Sequence, residues 1–571
     1  MFLKFFSKKT DIDIKKLEKQ NNYINRILQW FPVKNPKLFI RLYKNIFQQI
    51  SLGDSLQHPR VKGESNKEIY ESLISRYSTM PTETSNNEKV VVEIAKNFLA
   101  GAPIWKSPLL QYNVGSATNT AANALYAISQ EINLYNINDG LAGNGLAAEK
   151  SVCRILSSLA GVDPDVSTGL FTFGGTATNL YAVKIGITKA LPKSKKDGLP
   201  GKIKIAITED SHFSHTTSLN WLGVGASNAI IMTANEDRTT NLKLAEENIR
   251  KSLNDGFIVP AIIINGGTTY DTAIDDIAEF VKLRDKLVKD FELNYTPHIH
   301  VDSVIGWSFL FFNKYDFKKN ILEIEDNTLL KLETQLKRIQ GISKADSWGV
   351  DFHKGIGSSP IPCSVVMLNK SESLATLLQQ NEDGSNLHQL AQEFSHMSPV
   401  NYTLETSRPG GSALAALASI FAIGEKGFQS HLANLVQMST LTRKLIEKDC
   451  RFNVVNKESL GFVTMIQLIP QSLSDSPLVN IQFTDNSKLA NDYILKLNEY
   501  NENFFSFDKK MRINKNIGVE YSFSKEYCST PSGAKISAIK LYPTSPLISP
   551  KHIIETIKTL KTRMQIFDKI A

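Results

Sequence analysis

The 571-residue chain carries 65 Lys and Arg against 57 Asp and Glu, a net charge of +8 that is thin over such a length, with 42% hydrophobic and 21% charged residues. These proportions exclude a disordered or fibrous protein, suit roughly two to four domains, and give no charge-based reason to expect a nucleic-acid partner. Four widely spaced cysteines without a C-x-x-C pair argue against a zinc knuckle or a dense disulfide scaffold, and the longest low-charge stretch, Ser412 to Gly424, is too short to span a bilayer.

In chain order, the first ~100 residues read as polar helices, with Ile14, Leu17, Ile24, Ile27 and Leu28 at helical spacing and Leu42 to Ile50 continuing the pattern. The basic N-terminus MFLKFFSKKT is interrupted by charge too early for a secretory leader, so a cytoplasmic protein with no integral membrane segment is expected. Met80 to Lys89 reads as a loop. From about residue 165, short apolar runs alternate with helix-length stretches. The runs are Gly169–Phe173, Ile203–Thr208, Ala229–Thr233, Pro260–Asn265, His298–Val304 and Cys363–Leu368. Between them lie Thr176–Ala190, Leu242–Leu253 and Ile274–Asp290. This alternation predicts an α/β fold with a mostly parallel central sheet covered by helices on both faces. Beyond about residue 425, Gly461–Ile469, Ala534–Leu541 and a last helix from Pro550 suggest a smaller α+β domain. The expected division is a helical segment over 1–110, a large domain over 111–425 and a C-terminal domain over 426–571.

Ligands of such sheets bind at the carboxyl ends of strands, so the polar residues there are the candidates. Gly174-Gly175-Thr176-Ala177-Thr178-Asn179 joins a strand to a helix, where free N–H groups and the helix dipole suit a phosphate; an ordinary tight turn is the alternative. Asp210-Ser-His212-Phe-Ser-His215 offers an imidazole able to stack on a flat ring or simply to bond its own loop. Asn265-Gly-Gly-Thr-Thr269 and Asp275 read either as an anion contact or as a capped turn. His298-Ile-His300-Val-Asp302 ends in a carboxylate that suits a cationic ring nitrogen or caps the next turn. The His298/His300 pair lacks a third metal ligand at convincing spacing. Asp351-Phe-His353-Lys354 places a lysine among small residues, either a Schiff-base nucleophile or a solvated surface charge.

Taken in order, Phe171-Thr-Phe-Gly-Gly-Thr-Ala-Thr-Asn179, Ser211-His-Phe-Ser214, Gly267-Thr-Thr269 with Asp275, His300-Val-Asp302, Asp351-Phe-His-Lys354 and Glu405-Thr-Ser-Arg-Pro409 resemble the group II amino-acid decarboxylases of fold type I. These enzymes depend on pyridoxal 5'-phosphate, and the chain has an additional likeness to sphingosine-phosphate lyases. The resemblance covers about residues 100 to 425.

The resemblance implies that Lys354 holds the cofactor as a Schiff base, that Asp302 pairs with the pyridine nitrogen, and that His212 stacks on the ring. It further implies that His353 assists proton transfer, that Gly175, Thr176 and Ala177 hold the phosphate, and that Thr269 and Asp275 support the ring and its neighbours. A homodimer built around the helical N-terminal segment follows in the same way, with Ile24, Ile27, Leu28, Leu42 and Ile46 as apolar positions that need cover. The chain departs from the family pattern in having Asp302-Ser303-Val304 where Asp-Ala-Ala is usual and Gly355 where a tryptophan often follows the lysine. Tyr402 is the only tyrosine between Lys354 and Thr403. The implied activity is decarboxylation of an L-amino acid; the alternatives are a carbon–carbon lyase on the same cofactor and a non-catalytic binding protein on the same fold.

Overall fold

The computed structural model describes residue 30 and residues 37–50, 58–83, 88–378, 398–474, 482, 484–515 and 518–570. Ile14, Leu17, Ile24, Ile27 and Leu28 lie outside the described residues. The chain divides into two compact units, one of residues 1–109 with 509–518, the other of 110–508 with 519–571.

In the first unit the helices Lys37–Gln49, Lys67–Tyr77 and Glu88–Leu99 bury none of their residues. They are tied to one another by Arg41–Glu88 and Arg76–Glu93 ion pairs. Ile50, Val61 and Ile104 form a small buried cluster against which Ile46 packs. Leu42 is half-buried.

The second unit holds two sheets. Its strands are β1 (Leu110–Gln111), β2 (Thr168–Thr172), β3 (Ile205–Thr208), β4 (Ala229–Met232), β5 (Ala261–Asn265), β6 (His298–Asp302), β7 (Ser347–Asp351), β8 (Ser364–Leu368), β9 (Phe452–Val454), β10 (Thr464–Leu468), β11 (Glu520–Ser529) and β12 (Lys535–Leu541). The larger sheet has the order β2-β8-β7-β6-β5-β3-β4. Its strands β4, β3, β5, β6 and β7 are parallel, and β8 is antiparallel to both of its neighbours, so β2 runs with the other five and β8 alone against them. Being covered on both faces, the central strands are continuous apolar runs such as Ala261-Ile-Ile-Ile264, as buried parallel strands require. The helix Gly175–Ala190 serves two apolar clusters. Val183 and Ile187 pack with Ile205, Ile207 and Ile263, while Ala177, Tyr181 and Ile185 pack with Leu170, Val366 and Leu368. The smaller sheet has the order β1-β11-β12-β10-β9, so residues 110–111 pair with the far end of the chain at Glu520–Tyr521.

One element differs from the sequence expectation. Strand β7 was not anticipated, because Ser-Trp-Gly-Val-Asp contains only one β-branched residue; it is a strand because β6 and β8 supply its hydrogen-bond partners on both edges. The low-charge stretch Ser412–Gly424 lies in the helical span Gly411–Ile446, which is two helices joined at a kink at Gly424 (φ 68°, ψ 167°). No helix among the described residues is long and apolar enough to cross a membrane.

Candidate active site

Because six strands of the large sheet point the same way, the segments that leave their carboxyl ends meet. A cavity of about 220 Å³ is lined from β2 by Gly174, Gly175 and Thr176, from β3 by Asp210, His212 and Ser214, and from β5 by Asn265, Thr268 and Thr269. From β6 come Asp302, Val304 and Ile305, and from β7 come Asp351, His353 and Lys354.

Asp302 is fixed on one oxygen and open on the other. Its Oδ2 accepts from His215 Nε2 at 2.8 Å and from Asn179 Nδ2 at 3.0 Å, while its buried Oδ1 has no hydrogen-bond partner. Burial pushes this carboxyl up, but the hydrogen bond and charge of His215, the charge of Lys354 and the Asn179 bond outweigh it and hold the pKa well below the usual carboxylate range. An ionised oxygen facing the cavity without a donor is what a protonated ring nitrogen needs opposite it. The support continues outward: Asn179 Nδ2 also donates to Ser214 Oγ (3.1 Å), and that hydroxyl lies 2.8 Å from His212 Nδ1. His212 Nδ1 accepts from Ser214 N–H at 3.2 Å, which fixes the ring, and burial lowers its pKa, favouring the neutral imidazole.

Lys354 sits in the turn after β7, where its own segment is held by Gly355 N–H donating to Val114 O (2.7 Å) and Ser116 N–H donating to His353 O (3.1 Å). Its Nζ lies 2.9 Å from Asp351 Oδ2. Burial works to lower the lysine pKa, yet the charge and hydrogen bond of Asp351, with Asp302 further off, leave it above the ordinary value. His353 Nε2 faces the same Asp351 oxygen at 3.6 Å, and its Nδ1 lies against the Cys363 backbone.

At the other end, Gly174 has φ 151°, a conformation that side chains rarely adopt, and leads directly into the helix Gly175–Ala190. A Cβ on Gly175 would come within 2.7 Å of Asp351 Oδ2, so a larger residue would fill this corner of the cavity.

Of the residues expected to touch cofactor or carry catalysis, the cavity therefore gathers Lys354, Asp302, His212, His353, Gly175, Thr176 and Thr269, and Ala177 and Asp275 do not line it. Ala177 is buried in an apolar cluster and its N–H is donated to Gly174 O at 2.9 Å. Asp275 does not line the cavity. It accepts from Asn265 N (2.7 Å), Thr240 N (2.6 Å) and Thr240 Oγ1 (2.9 Å), and burial pushes its pKa up to about 6 despite those bonds. It braces the β5 turn instead. His298 and His300 both turn to the Ser347 hydroxyl, at 2.7 and 2.8 Å, and burial lowers them to about 4 and about 3. Among the described residues no group of three His, Cys, Asp or Glu is placed to hold a metal. Arg408 is structural as well: it pairs with buried Glu149 at 2.7 Å and donates to Asn136 O and Phe171 O. Tyr402 packs on the Leu170–Tyr181 cluster, and among the described residues no tyrosine lines the cavity.

Sequence reasoning missed Asn179, His215 and Asp351 as working parts. Each stands inside or one residue beyond a motif already singled out, but nothing in the spacing says that Asn179 and His215 converge on Asp302 from two different helices.

Residues 73–466 match the family model described as "Pyridoxal-dependent decarboxylase conserved domain", and the chain belongs to that family. Pyridoxal 5'-phosphate is its cofactor. An L-2,4-diaminobutyrate decarboxylase of Rhizobium meliloti is 24% identical over 315 residues, 55% of this chain and 56% of that protein, so the match spans little more than half of that relative. Mouse CSAD in apo form aligns with a TM-score of 0.74 at 17% identity, covering 93% of this chain and 99% of that one. Oryza sativa TDC, solved with PLP and tryptamine, gives 0.74 at 13% identity over 94% and 99%. The fold is thus that of the fold type I pyridoxal-phosphate decarboxylases.

Proposed function

We propose that the chain decarboxylates an L-amino acid with pyridoxal phosphate, working as a cytoplasmic homodimer. The observation that carries this reading is the convergence of Lys354, the unpartnered Oδ1 of Asp302 and the Gly174–Thr176 helix entry on one cavity. Lys354 would hold the cofactor through its amine, Asp302 Oδ1 would face the ring nitrogen, His212 would cover a ring face, and Gly175 and Thr176 would take the phosphate, with Thr269 beside the ring. The bound cofactor supplies an electron sink for the pair left when a bond at the substrate α-carbon breaks.

The chain's own groups do the rest. Asp302, ionised and anchored by His215 and Asn179, keeps a proton on the ring nitrogen. Val304 and Ile305 make part of the wall apolar, which thins water around the charges and strengthens them. His353, next in the chain to Lys354, places its Nε2 3.6 Å from Asp351 Oδ2. With no tyrosine among the described lining residues, His353 is the proposed proton donor to the α-carbon. That same absence favours, as a second reading, a carbon–carbon lyase. A binding protein without catalysis has no use for a half-buried lysine and an unpartnered carboxylate in one cavity.

Support for the dimer comes from the N-terminal helices, whose Phe39, Ile40, Tyr43 and Phe47 are exposed; residues 1–110 would form the interface, with 111–425 and 426–571 as large and small domains. The four unpaired cysteines suit a reducing compartment.

The test is incubation of cofactor-loaded protein with a panel of L-amino acids, scoring carbon dioxide, amine and aldehyde separately, with the borohydride-fixed pyridoxyl group mapped by peptide mass. Carbon dioxide with amine, and the label on Lys354, is expected. Aldehyde without carbon dioxide selects the lyase, and a label on another lysine overturns the site.

A further inference from the structure

The cavity holds a second fully buried acid, and its setting is unlike that of Asp302. Asp351 Oδ1 accepts from Ser364 Oγ at 2.5 Å. Its Oδ2 faces Lys354 Nζ at 2.9 Å and His353 Nε2 at 3.6 Å, and it lies against Gly175, where an added Cβ would be only 2.7 Å away. An acidic side chain of the protein thus stands at the first residue of the helix whose N-terminus is the natural seat for a phosphate.

We propose that Asp351 is an internal competitor for the cofactor's phosphate: its charge at Gly175 opposes a phosphate dianion at the helix entry, and Lys354 is the cation the two anions share. The inference rests on the reading of Gly174–Thr176 as the phosphate end and of Lys354 as the attachment point. A helix N-terminus offers only about half a unit charge, too little to balance a carboxylate and a dianion together. Ser364 is neutral, and among the described residues Lys354 is the only Lys or Arg paired with Asp351 Oδ2, with the His353 imidazole farther off at 3.6 Å. Even at an effective dielectric of about 20, one like charge a few Å away shifts an affinity by ~10-fold or more. The chain therefore holds its cofactor in a balance, loosened at the phosphate by Asp351 and secured at Lys354 and Asp302.

The experiment uses the full-length chain freed of cofactor, with Asp351→Asn and Asp351→Ser beside it and thermal melts to check folding. Each protein is titrated with inorganic phosphate, pyridoxal 5'-phosphate and pyridoxal at one pH and ionic strength. Both phosphate-bearing ligands should bind each variant at least ~10-fold more tightly than the parent, while pyridoxal changes by less than ~3-fold. Unchanged or weaker phosphate binding by a folded variant overturns the proposal, as does an equal gain for pyridoxal, which would place the effect at Lys354 alone. Should both variants fail to fold, Asp351→Glu, which keeps the charge, still decides: it should bind inorganic phosphate within ~3-fold of the parent, and a gain of ~10-fold or more overturns the proposal. The underlying site is checked separately. A borohydride label on Lys354 with phosphate affinity unmoved removes only the role of Asp351, whereas a label elsewhere removes the site reading itself.

Discussion

Every residue of β3, β5, β6 and β7 is buried, whereas the helices Lys37–Gln49, Lys67–Tyr77 and Glu88–Leu99 bury none. In and around the sheet several buried acids have partners built for them, while Asp302 keeps one oxygen unpartnered. Asp302 has His215 and Asn179, Asp275 has Thr240 and Asn265, and Glu149 has Arg408, Asn136 and the Phe171 N–H. The N-terminal helices instead leave Phe39, Ile40, Tyr43, Ile94 and Phe98 in the open and join themselves by surface ion pairs, which contribute little to stability. One region is finished within the chain; the other presents apolar surface that asks for cover. Chemistry is expected to fail through the first and assembly through the second.

The sharpest division is Lys354→Ala, which should abolish product formation, a fall of at least ~10³-fold, and remove the borohydride label without moving the sedimentation coefficient. Substituting Arg408 by Ala strands Glu149 without its countercharge beneath β2, and we expect a loss of about 3–5 kcal/mol in denaturant unfolding of the second unit, whether or not cofactor is present. Asp302→Asn should retain the cofactor on Lys354 but lose roughly 10²-fold or more in turnover, since the amide cannot hold the ring-nitrogen proton; near-normal turnover would contradict its role.

His215→Leu probes the layer behind Asp302. The carboxyl of Asp302 is depressed in the folded protein, so its contribution is complete above the unfolded carboxylate value and fades only as pH falls through the depressed one. Without the His215 hydrogen bond that depression shrinks. The acid limb of kcat/KM should therefore move to higher pH, with a loss of about 10-fold near neutrality, and His215→Gln, whose amide can donate to the same oxygen, should restore much of both. A uniform loss with an unmoved acid limb would mean that His215 only packs. Least disruptive is Ile40→Ser with Phe39→Ser. These exposed positions should leave unfolding within about 0.5 kcal/mol and shift sedimentation toward monomer; an unchanged dimer would send the interface elsewhere.

The sequence alone determined the strand–helix alternation, because a sheet buried on both faces writes itself as short apolar runs, and it marked the strand ends where Asp302 and His212 stand. Asp302 and His212 are legible because they end or closely follow apolar runs that read as strands, and Lys354 because it stands in the Asp351-Phe-His-Lys354 motif. The chemistry of a carboxylate, an imidazole and a lysine limits what they can do. Tertiary structure decided the rest. β7 exists because β6 and β8 offer it two edges, not because Ser-Trp-Gly-Val-Asp favours extension. His215 and Asn179 became the holders of Asp302 only when the helices after β3 and β2 packed side by side over β6. That Asp275 braces β5 could not be read locally, since its three donors come from segments 10 and 35 residues away. Periodicity records which face of an element is dry. Which buried polar atoms meet, and which one is left without a partner, depends on distances between elements that no local pattern encodes.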